Sequence, residues 1–381
     1  MGVGVADLPL HGGRVPLWMI RYMERMAAAI ARAIVDVHGP EALVRGLSDP
    51  VWFQAFNNVI GMDWDSSGST TVLTAVLKRV SWESEDLQFL VLGGKGGRMR
   101  LVPEEAREAE RRLGVDARLI ERFSRAAARI DSALLQDGYE VYHHAVFVAS
   151  EKAIVVVQQG MNAERGMARR YHVDRLAVEE PHSGVAGSPE NSVVNVTARE
   201  SRDARRFFVD LVGEGARRLK KLIAEANRLV EGRPTLLDFT GNRPNKPLEK
   251  PAYYRPVKID SRLEKALIEL ERHGLASEED LLDAPGVTPK VVRALALVAD
   301  LIYSIPTSTR DPVTAPLNPF AYAYAVGGKD GVPYKYSRET VERVTLTLEE
   351  AIEAARLGDR EKIRALKRLR SLLRSYLGVE G

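Results

Sequence analysis

Residues 139–161 read YEVYHHAVFVASEKAIVVVQQGM. Two runs of β-branched and aromatic residues flank the polar triplet Ser150, Glu151 and Lys152, a pattern that predicts a β-hairpin. The hairpin matters because its surroundings are helical. Residues 14–46 space apolar side chains three and four apart, and residues 103–136 do the same behind a Pro-Glu-Glu start suited to a helix N-terminus. Between them, residues 49–80 read as a helix, a Ser/Gly/Thr loop and a second helix, and residues 86–100, DLQFLVLGGKGGRMR, as a strand entering a glycine-rich basic loop. Beyond the hairpin, a polar stretch and the segment VVNVTARES lead to a long helix from about 200 to 231. Residues 1–231 therefore read as an α+β domain.

Residues 232–260 carry Pro234, Pro244, Pro247, Pro251 and Pro256, a density that prevents regular structure and predicts a linker or wrapping arm. Residues 261–381 read as a mainly helical domain. Within it, DLLDAPGVTPKVVRALALVADLIY (280–303) resembles the helix-hairpin-helix motif, which grips a DNA backbone without reading its sequence. Pro285 and Gly286 form the tight turn. Thr288 and Pro289 open the next helix, whose spare N–H groups suit a phosphate, although Thr288 stands where a second glycine is common. Lys290 and Arg293 follow in its first turns and are expected to contact phosphate. Lys290 has a second reading. The resemblance to glycosylases that use this motif implies a lysine that attacks the sugar, assisted by Asp311, 21 residues later.

The chain of 381 residues is 45% apolar and 28% charged, enough for a sizeable core and against bulk disorder. It has no cysteine, which excludes disulfides, thiolate metal sites and a cysteine nucleophile. The charge-rich composition resembles that of a thermophile's protein. A net charge of +3 is too small to argue for nucleic acid by itself, so distribution matters more. One concentration is EKIRALKRLRSLLR (361–374), where Leu366, Leu369 and Leu373 form a packing stripe and Lys367 and Arg368 belong to a basic face. No apolar run is long enough for a membrane span, and the start lacks a secretory pattern, so a cytoplasmic protein is expected. The oligomeric state is left open.

The hairpin also collects polar residues. Asp137 and Glu140 stand at the foot of its first strand, Gln158 and Gln159 on its second, and Arg169, Arg170 and His172 follow. His143 and His144, adjacent on one strand, point to opposite faces. An acid before one strand and an oxygen donor on its partner is a layout of metal-dependent nucleases: Mg²⁺ or Mn²⁺ would sit on Asp137 and Glu140, with the Gln158 or Gln159 amide as a further oxygen. The lysine usual in that layout is absent. His144 or His172 would serve as general acid or base, and Arg169 and Arg170 would clamp phosphate. Further loops point the same way: Lys95, Arg98 and Arg100 in the glycine-rich loop, Asp63 and Asp65 in DWDSSGSTT, and Glu179, Glu180 and His182 in EEPHSG.

The segments DLPLHGGRVP, DWDSSGSTT, GGKGG, QDGYEVYHH, VVQQGMN, ARRYH, EEPHSG, RALALVADLIY and GGKDGVPY resemble the archaeal and bacterial family classed as domain of unknown function 763. The resemblance spans nearly the whole chain and implies no activity. The residues themselves lead to the expectation of a DNA-repair or recombination protein, a metal-dependent nuclease with a hairpin grip. A glycosylase or lyase centred on Lys290 and Asp311, and a DNA-binding scaffold without chemistry, are the alternatives. RNA stays open as a partner.

Overall fold

The computed structural model describes residues 8–9, 17–61, 67–233, 254–314, 338–355 and 357–377. Asp63, Asp65, most of the proline-rich stretch and GGKDGVPY lie outside them. The fold is mixed α+β. Strands β1 (Leu8–Pro9), β2 (Leu90–Lys95), β4 (Glu140–Ser150), β5 (Ala153–Asn162), β6 (Met167–Val173) and β7 (His182–Ala186) form one antiparallel sheet in the order β1-β6-β5-β4-β2, with β7 also on β6. Strands β3 (Leu135–Gln136) and β8 (Val194–Asn195) make a separate small pair.

The expected hairpin is the centre of this sheet. Its strands are apolar on both sides because both sides are covered. On one face, Leu92, Val146, Val148 and Val156 pack against helices α5 (Val102–Leu113), α6 (Ala117–Arg129), α7 (Arg202–Gly213) and α8 (Ala216–Val230). On the other, Val91, Phe147, Val155 and Val157 meet α1 (Leu17–His38), α2 (Pro40–Ser48), α3 (Pro50–Val59) and α4 (Ser67–Glu83). The three long helices expected at 14–46, 103–136 and about 200–231 are each broken, at Gly39–Pro40, Gly114 and Gly215.

The C-terminal helices join these same layers. Leu263, Leu267 and Leu270 of α9 (Ser261–His273) and Val291, Leu295 and Val298 of α10 (Pro289–Tyr303) belong to the first core, with sheet residues. Leu348 and Ile352 of α11 (Arg338–Ala354) and Leu369 of α12 (Asp359–Leu377) belong to the second. Residues on both flanks of the connector expected at 232–260 contribute to these cores. Neither amphipathic pair could bury its apolar stripe alone; the sheet supplies the missing surface. No helix among the described residues is long and apolar enough to cross a membrane.

Register places two polar rungs across the sheet. Gly94, His144, Gln158, Tyr171 and Val185 are successive partners, and the next rung runs Lys95, His143, Gln159, Arg170 and Ala186. Adjacent rungs face opposite layers. The sheet therefore carries one buried polar set on each side.

Candidate active-site cleft

The first rung opens onto a cleft of ≈ 370 Å³ between the glycine-rich loop, α6 and strands β4 and β5, with Arg100, Ser124, Arg125, Val141, His144 and Gln158 in its lining. Helix α6 is started by Asp116, whose side chain accepts from Arg118 N at 2.8 Å. Ile120, Phe123, Ala126 and Ala127 are buried, and Ser124 sits on that same buried side. The helix runs on into a π-helical turn, Ile130–Leu134, which places Asp131 beneath the sheet. On the other wall, Gly93 lies within β2, ahead of the glycine-rich loop, with φ +79; a Cβ there would meet His144 O at 2.4 Å, so only glycine lets β2 pass the His144 backbone this closely.

Hydrogen bonds join these elements in a chain. His144 Nε2 lies 2.7 Å from Ser124 Oγ, and His144 Nδ1 lies 2.8 Å from Gln158 Oε1. Gln158 Nε2 donates to Ala127 O at 2.9 Å and to Asp131 Oδ2. The other Asp131 oxygen is 2.6 Å from His182 Nε2. The tautomer follows. With Gln158 Nε2 committed to two acceptors, its Oε1 faces Nδ1, which must be the donor; Nε2 is left to accept from the Ser124 hydroxyl. Burial, the largest influence, lowers the His144 pKa, so the ring is neutral near pH 7. A hydroxyl, a neutral imidazole and an orienting group are the parts of a base-activated nucleophile.

The other face holds His143, whose Nε2 lies 3.1 Å from Thr74 Oγ1 of α4. Burial, then the nearby His144 and Lys95, push its pKa down to about 3. A group held neutral in this way contributes fully above its unfolded value of 6.5. Below that value it loses stability at up to about 1.4 kcal/mol per pH unit until about pH 3. Urea midpoints measured across pH 7 to 5 should fall less steeply for His143→Gln than for the wild type. Parallel curves would show that His143 is not the titrating group.

Neither arginine expected to clamp phosphate reaches the surface. They are adjacent on β6, so alternation sends them to opposite faces, and both faces are covered. Arg169, fully buried, bonds through Nη1 to Asp137 Oδ2 at 2.7 Å and through Nη2 to Asp311 Oδ2 at 2.7 Å, and stacks 4.7 Å over the Tyr139 ring. Arg170 lies 4.4 Å over the Phe53 ring and donates from Nε to His172 Nε2 at 3.0 Å. His172 Nδ1 is 2.9 Å from Leu47 O, and burial, reinforced by Arg170, pushes its pKa well down. Both ring nitrogens are engaged inside the core, so His172 is placed as a buried neutral ring away from the cleft. Gln159 is buried on this face too, on the rung shared by His143 and Arg170.

The two residues of the expected metal pair lie in different surroundings. Asp137 is buried and takes Arg169, the Tyr171 hydroxyl at 2.7 Å and Tyr139 N at 3.1 Å, while Glu140 is exposed at the start of β4. Among the described residues, no group of three or more His, Asp or Glu side chains is arranged to hold a metal ion.

The hairpin residues are likewise reassigned by their partners. A short 3₁₀ turn (Glu278–Leu282) precedes the turn, and Thr288 caps α10 through Val291 N at 3.3 Å. Gly286, φ +85, faces α9 rather than solvent: a Cβ would lie 2.4 Å from Ala266 O and 2.8 Å from Leu270 N. Gly286→Ala is therefore expected to cost about 2–3 kcal/mol in urea unfolding, from the left-handed φ and the overpacking together. A loss below about 0.5 kcal/mol would mean that the turn relaxes freely. Lys290 Nζ pairs with Asp260 Oδ2 at 2.7 Å, and this contact, with the bond from Leu263 N, holds the Asp260 carboxyl down at about 2. Asp311 belongs to Arg169, so the lysine and aspartate of the lyase reading have different partners.

At the surface, Lys95 and Arg98 are exposed on the glycine-rich loop, with Lys95 Nζ 5.6 Å over the Tyr142 ring. Lys367 is exposed on α12, but Arg368 turns inward, 5.9 Å over the Tyr22 ring, and leaves the expected basic face. Ser124 and Asp131 were not expected from the sequence. Their signal was present: each is a polar residue on the apolar stripe of α6 and its π-helical extension.

No curated protein and no solved structure matches the chain. One family model does, across residues 4–336, and on that match the chain belongs to the family described as protein of unknown function DUF763.

Proposed function

We propose that the protein is a nucleic-acid-processing enzyme of the repair or recombination type, acting on DNA, and that it breaks a phosphodiester at the Ser124–His144 cleft. One observation carries the reading: a neutral histidine 2.7 Å from a serine hydroxyl in a cleft lined by Arg100 and Arg125. In this mechanism His144 Nε2 takes the Ser124 proton as Oγ bonds to phosphorus. The bond from phosphorus to the leaving oxygen breaks, and that oxygen receives the proton from His144. Water, activated by the same ring, then releases the phosphate from Ser124. The arginines neutralise the phosphate throughout.

A basic track supports binding beside the cleft. Arg118, Arg122, Arg125 and Arg129 recur at helical spacing along α6, away from its buried side. Arg122 reaches Asp283 at 2.8 Å and Arg129 reaches Ala284 O at 2.5 Å, so the track meets the hairpin at residues 283–290. In the proposed function this hairpin acts as a helix-hairpin-helix, holding backbone beyond the point of cleavage.

The test is incubation of labelled single-stranded, duplex, flap and abasic DNA with the full-length protein, in EDTA and in Mg²⁺ or Mn²⁺. Cleavage that persists in EDTA and disappears with His144→Asn supports the proposal. Cleavage that needs Mg²⁺ or Mn²⁺ and ignores Ser124→Ala moves the chemistry to carboxylates such as Glu140. A borohydride-trapped adduct at Lys290 moves it to lyase chemistry. Binding without cleavage in any condition leaves a scaffold.

A further inference from the structure

The reacting pair lies at the bottom of its cleft. Ser124 and His144 both belong to the lining, yet they are only 8% and 4% exposed, and Gln158 behind them is fully buried. A phosphodiester cleaved there has to enter the cleft to reach Ser124 Oγ. The space limits what can enter. A volume of ≈ 370 Å³ is at the low end of small-molecule sites, which run from about 300 to 1,000 Å³, and it holds one nucleotide rather than a length of double helix.

The walls divide by chemistry. Around the polar floor, apolar side chains arrive from three sides: Met99 and Val102 from the glycine-rich loop and the start of α5, Ala128 from α6 and Val141 from β4. Met99, Ala128 and Val141 are only half-buried, so part of each stays accessible. Arg100 and Arg125 are exposed and mark the rim. The carboxylate of the lining, Glu121, pairs with Arg125 at 3.3 Å one turn along α6; an exposed pair of this kind is weak and yields to a phosphate. A polar floor, apolar walls and a cationic rim match a nucleotide taken out of its stack, with the phosphate on the floor and the flat base against apolar side chains. In a duplex each nucleotide is stacked and paired within a stiff rod, so its phosphate reaches the floor only if the nucleotide leaves the helix. In a single strand or a bulge it is already free to do so.

We infer that the Ser124–His144 cleft takes one nucleotide outside the double helix, from a single-stranded or extruded stretch of DNA, with its base against Met99, Ala128 and Val141. The choice of DNA and its cleavage rest on the function proposed above; occupation of the cleft by an unpaired nucleotide is read out separately from cleavage.

The experiment uses three DNAs of one sequence with 2-aminopurine at the same position: a single strand, a duplex with that base in a one-nucleotide bulge, and a fully paired duplex. Cleavage by the full-length protein is timed on each. Occupation without turnover is followed in Ser124→Ala through the 2-aminopurine fluorescence, which rises when the base leaves its stack, and through its shielding from acrylamide. Ala128→Phe and Val141→Phe, each in the wild type and in Ser124→Ala, fill the cleft from two different elements, and melting temperatures show which of them fold. The single strand and the bulge should be cut roughly 10–100-fold faster than the paired duplex, whose nucleotide must first be extruded. Their fluorescence should rise and be shielded. A filling variant that folds should lose both the fluorescence response and cleavage, while paired-duplex binding, followed by anisotropy, stays within about twofold because the backbone grip lies elsewhere.

If the fluorescence rises, is shielded and is lost on filling, but the wild type cuts none of the three DNAs, the cleft still takes an unpaired nucleotide and the cleavage reading fails. If the paired duplex is cut as fast as the single strand and its fluorescence does not change, cleavage stands and the unpaired-nucleotide site is overturned. Filled variants that fold and respond like the unfilled proteins would overturn it as well, and so would the absence of any fluorescence response to the single strand and the bulge.

Discussion

Arg169→Met is expected to cost about 3–5 kcal/mol of stability, the largest single effect among the buried ion pairs described. The guanidinium is fully buried, and its two carboxylate partners are nearly so, at 1% and 5% side-chain exposure. Removing it leaves Asp137 and Asp311 facing each other without a positive charge. Asp137 keeps the Tyr171 hydroxyl at 2.7 Å, and Asp311 keeps Glu190 N at 2.6 Å, so the loss is not the full cost of two orphan ions. Urea unfolding at pH 7 measures it. The triple variant Arg169→Met, Asp137→Asn, Asp311→Asn should recover a large part, because the penalty is the uncompensated charge rather than the missing bonds. A single variant as stable as the wild type would instead fit an arginine free to meet a ligand.

The second large effect is catalytic. His144→Asn and Ser124→Ala are each expected to lower DNA cleavage by on the order of 10²–10⁴-fold while leaving DNA affinity within about twofold. Each also disturbs a buried hydrogen bond, for about 1–3 kcal/mol, so stability must be recorded beside activity. Gln158→Glu separates the roles. A carboxylate opposite Nδ1 raises the pKa of His144, and the ring is then protonated, and unable to accept the serine proton, up to a higher pH. The acid limb of the pH–rate profile should move to higher pH in this variant. A profile that falls in height without moving would place His144 in the fold only.

The central hairpin was legible in residues 139–161, because alternation of side chains across a strand is a local property of the chain. The same property put His143 and His144 on opposite faces, as their partners Thr74 and Ser124 show. It also separates Arg169 from Arg170, although their shared basic character reads as one clamp. Helical spacing was equally legible, since the three- and four-residue repeat arises within a single element.

Partners were not legible, because they depend on register and on which layer covers which face. Arg169 and Asp311 are 142 residues apart, and Arg169 and Asp137 are 32 apart; the docking of residues 304–314 beside β7 and β8 brings Asp311 to the other two. Lys290 and Asp260 meet because α9 and α10 pack side by side, which makes an expected phosphate ligand one half of a partly exposed ion pair. Ser124 and Asp131 carry only a weak local signal, a polar residue where helical period requires an apolar one. Composition determines that such a residue must find a partner once buried, since an unpaired polar group in a core costs on the order of kilocalories. Tertiary structure alone decides that the partner is His144, because sheet register and the position of α6 over β4 and β5 set the 2.7 Å approach.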